Sequence, residues 1–560
     1  MDDLIQQVRQ YHKATKHRFS GYAPSPGFLD WDSQPNPFRE YTGSPRVVLP
    51  LINHQNSRGY HALFSPVEHE PAPLNLNSLG HFFELAFGIS AWKSTGMDRW
   101  ALRNNPSSGN LHPTEAYLVL WQAIDDRLQP GIYHYVSRDH ALEQVACFNA
   151  ARLGEIPVSR VKTRAALALT SIHWREEWKY GARAYRYCQH DVGHALACAR
   201  FAAGVLGWTI AADSSATDDD LNKCLGLQRY EGDVEPECAD LIAPLYFSGE
   251  QSPTPSPLWE PGRENFWGTL SGCIERWQGE ANILSAEHAH WPQIKSLLPS
   301  VYKKQRSTAH HLSGNAGSQN LSRVAESPSP AAAHIIRQRR SAQRMQLGTG
   351  IAASDFYRAM ARTLPTDSAP PFDAFPFKPA VNLVLFVHAV ESLEPGLYAL
   401  IRTPDLYDGF RKQCHQSFNW EKAGPEGLPL YRLHGPGDCR KPASQLSCYQ
   451  GIAGHSAFSL GMMANMGETL AEDGAWRYRS LFWEAGMIGQ LLYLEAEASG
   501  LQATGIGCYF DDEVHELFGL EAEGDWQSLY HFTVGAAKTD NRLLTEPAYG
   551  KRPYLDLAEF

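Results

Sequence analysis

The sequence predicts an α+β fold built twice in tandem. Three observations predict it: a polar stretch divides the chain near its middle, two long apolar helices match when one is displaced onto the other, and a β-rich run with a Pro-Gly turn precedes each helix. The dividing stretch reads KKQRSTAHHLSGNAGSQNLSRVAESPSPAAA from Lys303 to Ala333, and its Ser, Gly and Ala content is that of a linker. It assigns residues 1–300 to a first domain, 303–333 to the linker and 334–560 to a second domain.

In the first domain the β-branched and aromatic run Ala116 to Trp121 reads as a strand, and Pro130-Gly131-Ile132-Tyr133 reads as a turn into a second one. A helix follows from Ala184 to Leu206, apolar nearly all round and rich in small residues, a pattern that requires burial on every side. The second domain repeats this with Val381 to Val390, Pro395-Gly396-Leu397-Tyr398 and a helix from Tyr478 to Ser499. A displacement of 293 positions lays Tyr185 on Tyr478, Arg186 on Arg479, Asp191 on Glu484 and Gly193 on Gly486. Strands joined by hairpin turns argue for antiparallel-rich sheets flanked by helices, not for a doubly wound parallel sheet. Two tethered copies would pack as an internal pseudo-dimer whose interface suits a cofactor.

The composition excludes several classes of function. With 560 residues, 43% apolar and 20% charged, the chain is neither disordered nor fibrous. A net charge of −11 without long runs of one sign makes nucleic acid an unexpected partner. The start MDDLIQQVRQYHK lacks the pattern of a signal peptide, and the apolar run Val381 to Val390 is too short to cross a bilayer. Ten cysteines without a CxxC pair suggest reduced thiols in a cytoplasm.

Three segments carry candidate chemistry. Arg103 to Pro113, RNNPSSGNLHP, places two hydroxyls, a permissive glycine and an Asn amide just before a strand, an array suited to a flat heteroaromatic edge. Ile335 to Arg344, IIRQRRSAQR, offers forked donors and a hydroxyl for a phosphate. Ala503 to Asp512, ATGIGCYFDD, has paired glycines that let backbone N–H groups approach a ligand ring, but lacks the third glycine of a dinucleotide fingerprint. Each segment alone is also consistent with an ordinary turn or surface helix start.

Together the segments resemble the nitroreductase family of FMN-dependent oxidoreductases, and more closely its SagB-type dehydrogenase branch. The resemblance assigns Pro106, Ser107, Ser108 and Asn110 to the flavin edge, with Pro113 completing that motif. It assigns Arg339, Ser341 and Gln343 to the phosphate and ribityl chain, and Gly505, Ile506 and Gly507 to a turn along the isoalloxazine. A basic residue close to the C-terminus is expected at the phosphate, with Arg542 the first candidate and Lys538 the second. Lys179-Tyr180 stands where the branch carries a Lys-Tyr pair associated with dehydrogenation, so these two are the candidate catalytic residues; a helix start with a snorkelling lysine is the plain alternative.

The duplication adds an expectation of its own. Copy two has Phe372 to Pro379, FDAFPFKP, where copy one has PSSGNLHP, and copy one has Ala211-Ala212-Asp213-Ser214 where copy two has TGIG. Each copy therefore keeps one half of a site, and one complete FMN site per chain is expected, with a second, degenerate one. His190 and His194 have helical metal-ligand spacing but no evident third ligand and read as packed residues; Cys508 reads as a buried, inert thiol.

The expected function is oxidation of a small or peptide-derived substrate, for instance a thiazoline or oxazoline in a modified peptide, by hydride transfer to the flavin. An NAD(P)H-dependent nitro or quinone reductase is the alternative enzyme. A non-catalytic binding or scaffold protein is the alternative of another class.

Overall fold

Strand pairing in each half follows from an alternation with both faces buried. The computed structural model describes all residues except 1, 54–57, 66–69, 157–162, 231, 248–265, 313–328, 551 and 556–560. It begins with helix α1 (Asp2–Ala14), followed by strands β1 (Thr114–Leu120), β2 (Gly131–Val136), β3 (Ala141–Phe148) and β4 (Ala165–Ile172). Helices α2 (Trp174–Tyr180) and α3 (Ala184–Val205) come next, then β5 (Thr209–Ile210), β6 (Glu237–Tyr246) and β7 (Ile274–Trp277). The second half contributes β8 (Val381–Val387), β9 (Gly396–Leu400), β10 (Glu421–Lys422) and β11 (Leu430–His434), then helices α4 (Arg440–Leu446) and α5 (Gly451–His455). Strand β12 (Phe458–Asn465), helix α6 (Arg477–Ala498), β13 (Gln502–Ile506) and β14 (Trp526–Gly535) complete it.

The first sheet runs β5-β6-β4-β1-β2-β3-β7 and the second β13-β14-β12-β8-β9-β11-β10, with antiparallel neighbours throughout. Read by chain position the two orders correspond strand for strand up to the last edge, where β7 follows β6 in sequence but β10 precedes β11. Strands β4 and β12, and helices α3 and α6, have the same bounds after the 293-residue displacement.

In β1, Ala116, Leu118 and Leu120 face a core that reaches across to Leu383, Leu385 and Val387 of β8, while Tyr117 and Val119 face a separate outer core. Val384 and Phe386 of β8 face a third core on the far side. The period of two thus places each sheet between an outer core and one shared core.

The shared core is filled by α3 and α6. Every residue of α3 is buried, and so is all of α6 except its last residue, as helices without a polar face require. The two helices cross at the equivalent glycines Gly193 and Gly486. A methyl group built on Gly193 would lie 2.2 Å from the Trp483 carbonyl oxygen, and one on Gly486 would lie 2.2 Å from that of His190. Only glycine permits this approach of backbone to backbone.

The boundaries 1–300 and 334–560 divide the sequence but not the space. Helix α1 packs on both halves: Tyr11 donates to the Ala182 carbonyl at 2.7 Å, His12 Nδ1 lies 3.0 Å from the Tyr478 hydroxyl, and just past the helix the Lys16 ammonium donates to Asp512 at 2.8 Å. At the opposite end Leu544–Glu546 adds to Ile89–Ser94 as an antiparallel strand, and Tyr554–Leu555 pairs in parallel with Leu51–Ile52. Each terminus satisfies a strand edge or a buried surface of the other unit.

The described flanks of the expected linker are also packed. The buried Lys303 ammonium donates to the carbonyls of Ser214 and Ala216, and Ala332 and Ala333 lie buried at the start of helix Ala332–Gln338. Residues 313–328 of that stretch lie outside the described residues. No helix among the described residues is long and apolar enough to cross a membrane.

Candidate functional site

A cavity of about 280 Å³ opens where the two units meet, and both supply its wall. Pro106, Ser107, Ser108 and Gly109 come from the loop before β1, and Tyr180, Tyr187, Asp191 and His194 from α2 and α3. The second unit supplies Ser341, Gln450, Tyr493, Tyr530 and the run Thr504 to Cys508.

The loop before β1 is held in an unusual shape, with φ of +59° at Gly109, +60° at Asn110 and +53° at His112. Such backbone in L-residues persists only where its surroundings enforce it. The anchor is Asp191 on α3, which accepts the Ser108 amide at 3.2 Å and the Ser108 hydroxyl at 3.3 Å. Burial pushes the Asp191 carboxyl up to about 7, against the hydrogen bonds from Ser107 and Ser108. Glu176 on α2 faces the same point; burial and then the charge of Asp191 push its carboxyl well above the usual range, with Lys179 and Ser107 opposing. Two acids beside Ser107 can therefore hold a proton near neutral pH. The equivalent acid in the other unit, Glu484, instead accepts the Ala380 amide and pairs with Arg402.

The expected site residues divide sharply. Pro106, Ser107, Ser108, Ser341, Gly505, Ile506 and Gly507 line the one cavity together with Tyr180. Lys179 borders it, its ammonium 3.1 Å from where a Gly109 Cβ would stand and 5.5 Å from the Tyr180 ring. Arg339 lies just behind, 3% exposed and 4.9 Å above the Tyr493 ring; it donates from Nη2 to the Arg103 carbonyl at 3.1 Å, while its Nε and Nη1 have no hydrogen-bond partner.

Asn110, Gln343 and Arg542 are not brought to the cavity. Asn110 donates to the Ala101 carbonyl at 2.9 Å and contacts His112 Nε2 at 3.1 Å, so it shapes the loop. Gln343 is exposed and does not line the cavity that Ser341 lines. Arg542 is exposed and ion-paired with Asp540 at 2.6 Å, two residues away, and Lys538 is exposed as well.

The glycines also make room for tyrosines. A Cβ on Gly505 would stand 1.9 Å from the Tyr530 hydroxyl, and one on Gly507 would stand 1.9 Å from the Tyr187 ring. The space they leave is taken by tyrosines, and the Gly505 amide donates to the Tyr493 hydroxyl at 3.0 Å. That hydroxyl also contacts Ser341 Oγ at 2.8 Å, so Tyr493 ties the start of the second unit to the glycine turn. Tyr493, Tyr530, Tyr187 and Glu176 were not singled out from sequence, where they read as core. Asp191 was aligned with Glu484 but given no role; an acid in the middle of a helix that reads as buried was the available signal.

His190 stacks on Tyr530 at 4.1 Å between ring centres, and His194 lies between Gln490 at 3.3 Å and the Tyr530 hydroxyl at 3.2 Å. Both act as packing residues of the aromatic wall. Cys508 is half-buried at the cavity wall, not enclosed as expected.

Residues 392–536 match the Nitroreductase family model. Over that stretch the second unit is similar to nitroreductase-family domains. MJ1384 of Methanocaldococcus jannaschii, which carries a nitroreductase name, is 22% identical over 169 residues, 29% of this chain and 80% of that protein. The crystal structure of a nitroreductase-type protein from Anabaena variabilis has the same fold over both units, with a TM-score of 0.62 at 22% identity, covering 95% of this chain and 99% of that one. A nitroreductase-type protein from Exiguobacterium sibiricum, crystallised in complex with FMN, matches 37% of this chain and 88% of that one at 14% identity and a TM-score of 0.23. The family-model match and the similarity to MJ1384 indicate an oxidoreductase.

Proposed function

We propose that the chain is an FMN-dependent oxidoreductase made of two copies of one nitroreductase-type fold, with one composite flavin site, working as a SagB-type dehydrogenase on a small or peptide-derived substrate. The observation that carries this reading is the single cavity lined by Pro106 to Gly109 of the first unit and by Ser341 and Thr504 to Gly507 of the second. The coincident strand orders and the glycine crossing of α3 and α6 support the two-copy reading.

The residues fit a flavin in three respects. Aromatic walls suit a planar ring, with Tyr180 and Tyr187 at 4.4 Å between centres. Hydroxyls of Ser107, Ser108 and Ser341 reach the cavity wall. The buried Arg339 guanidinium has two nitrogens in want of an acceptor, the condition a phosphate would relieve.

When bound, the flavin supplies hydride acceptance and onward electron transfer. The chain's own part is to hold the substrate against it and to take up a proton. Tyr180 and Lys179 stand beside Gly109 as the groups that remove it, and Asp191 and Glu176 behind Ser107 can pass it on. Exposed Phe19, Tyr22 and Tyr449 gather around Phe510, two residues past Cys508, and give an apolar approach suited to a peptide-derived chain.

The test is the visible spectrum of the purified chain with quantification of released FMN. One FMN per chain is expected. Two per chain would overturn the composite asymmetry, and none after FMN supplementation would overturn the flavin reading. Bleaching by NAD(P)H with reduction of nitro compounds, and no substrate oxidation, would replace the dehydrogenase reading by that of a reductase.

A further inference from the structure

Cys508 lies at the cavity wall, and Cys448, 60 positions earlier in sequence, is brought beside it as the neighbouring Tyr449 ring packs on Phe510 at 5.4 Å between centres. Cys448 and the His17 ring are the neighbours that most favour the Cys508 thiolate. The His17 tautomer follows from its other contact: Nδ1 accepts the Ala23 amide at 2.9 Å, so the ring proton sits on Nε2 and is free to point at Cys508. Arg183, whose Nη2 donates to the Gly507 carbonyl at 3.2 Å, adds a positive charge beside the sulfur.

The backbone is also arranged for this meeting. Cys448 has φ of +52° and Tyr449 φ of +59°, two successive L-residues in the left-handed region, in the turn between α4 and α5. Two successive L-residues in this region are held only where the surrounding contacts enforce them. Gln450 closes the arrangement, its amide donating to the Cys508 carbonyl at 3.2 Å. Both cysteines are half-buried, so a small reagent has access.

We propose that Cys508 and Cys448 form a redox-active thiol pair at the cavity wall, with Cys508 as the attacking sulfur and Cys448 as the resolving one, and that their partners are low-molecular-weight disulfides. The Cys508 thiolate attacks a dissolved disulfide, whose S–S bond breaks and releases one thiolate. The resulting mixed disulfide is attacked by the Cys448 sulfur after loss of its proton, the second small thiol departs, and the Cys448–Cys508 bond forms. Two protein thiols are thereby oxidised and one small disulfide is reduced to two thiols. Cys448 and His17, against the cost of burial, hold the Cys508 thiol below its ordinary range, while Cys448 is held above. The new bond would tie the turn after β13 to the α4–α5 turn beside the cavity. The pair does not depend on what the cavity binds.

The experiment equilibrates the purified full chain, with any bound cofactor, in graded ratios of reduced and oxidised glutathione. Acid quenching, alkylation and peptide mass analysis then locate the bonds. A 448–508 linked peptide that grows with the oxidised fraction and disappears on reduction is expected. C448S should stop at glutathione on Cys508, and C508S should leave Cys448 unmodified. At pH 6 iodoacetamide should consume Cys508 about tenfold faster than the half-buried Cys147, an advantage that His17→Gln removes. Absence of the linked peptide at every ratio, or equal alkylation of Cys508 and Cys147 in the unsubstituted chain, would overturn the proposal.

Discussion

The crossing of α3 and α6 makes a demanding prediction, because it joins the two units through backbone. Replacing Gly193 by alanine puts a methyl carbon 2.2 Å from the Trp483 carbonyl oxygen, about 1 Å inside the ~3.3 Å at which carbon and oxygen ordinarily meet. The opposing atoms belong to a helix backbone, so no side-chain rotation relieves the contact and the helices must separate. Overpacking of this kind costs about 3 kcal/mol, the upper end of the usual range. For a melting unit of the size of one domain that is a fall of roughly 6 °C or more in Tm. Gly486→Ala should behave alike, its methyl being 2.2 Å from the His190 carbonyl oxygen. Gly154→Ala is the control: its Cβ meets nothing within 4 Å in an exposed helical position, and alanine there gains up to about 1 kcal/mol of helix propensity. Differential scanning calorimetry of the three variants decides the matter. Unchanged melting of both crossing variants, within 1 °C or so of the unsubstituted chain, would refute the close approach and with it the geometry that aligns the two walls of the cavity.

Arg339→Ala should weaken FMN retention about tenfold or more, since a charge-assisted phosphate contact is worth about 1.5–3 kcal/mol; fluorescence titration measures it. Tyr493→Phe removes the hydroxyl that joins Ser341 to the Gly505 amide and should cost about 1–3 kcal/mol of stability while loosening the flavin, read by thermal melting and the same titration. Tyr180→Phe and Lys179→Ala should each lower turnover about 10²-fold or more with FMN content unchanged. Asp191→Asn tests the buried acid. Its folded pKa of about 7 lies above the usual ~3.9, so its protonated form favours folding below that lower value and this contribution is lost as pH rises through 7. Melting temperatures between pH 4 and 7 should therefore decline less in the Asn variant than in the unsubstituted chain.

The main elements were legible because their signals are local and periodic. Two helices that are apolar all round have to be buried wherever the chain goes, and their bounds, Ala184–Val205 and Arg477–Ala498, fall within a residue of those the pattern implies. The Pro-Ser-Ser loop, Ser341 and the glycine turn were visible as residue types out of keeping with their surroundings. That they line one cavity could be expected only through the resemblance and the uneven loss of motifs between the copies.

The sequence by itself determined the elements and which short segments carry polar chemistry, because each of these depends on neighbours within a few residues. Tertiary structure alone decided what the side chains face. Asn110 and Arg542 carry suitable groups, yet each meets a nearer partner, Ala101 with His112 in one case and Asp540 in the other, and turns away. Tyr493 and Tyr530 read as core until the fold sets their hydroxyls against Gly505, and the exchange of termini leaves no local pattern because it pairs residues more than 400 positions apart. Cys448 and Cys508 likewise become a pair only when a strained turn and a strand end are brought together. Propensity and periodicity act along the chain, whereas hydrogen bonding and burial act through space, and the candidate site depends on the second.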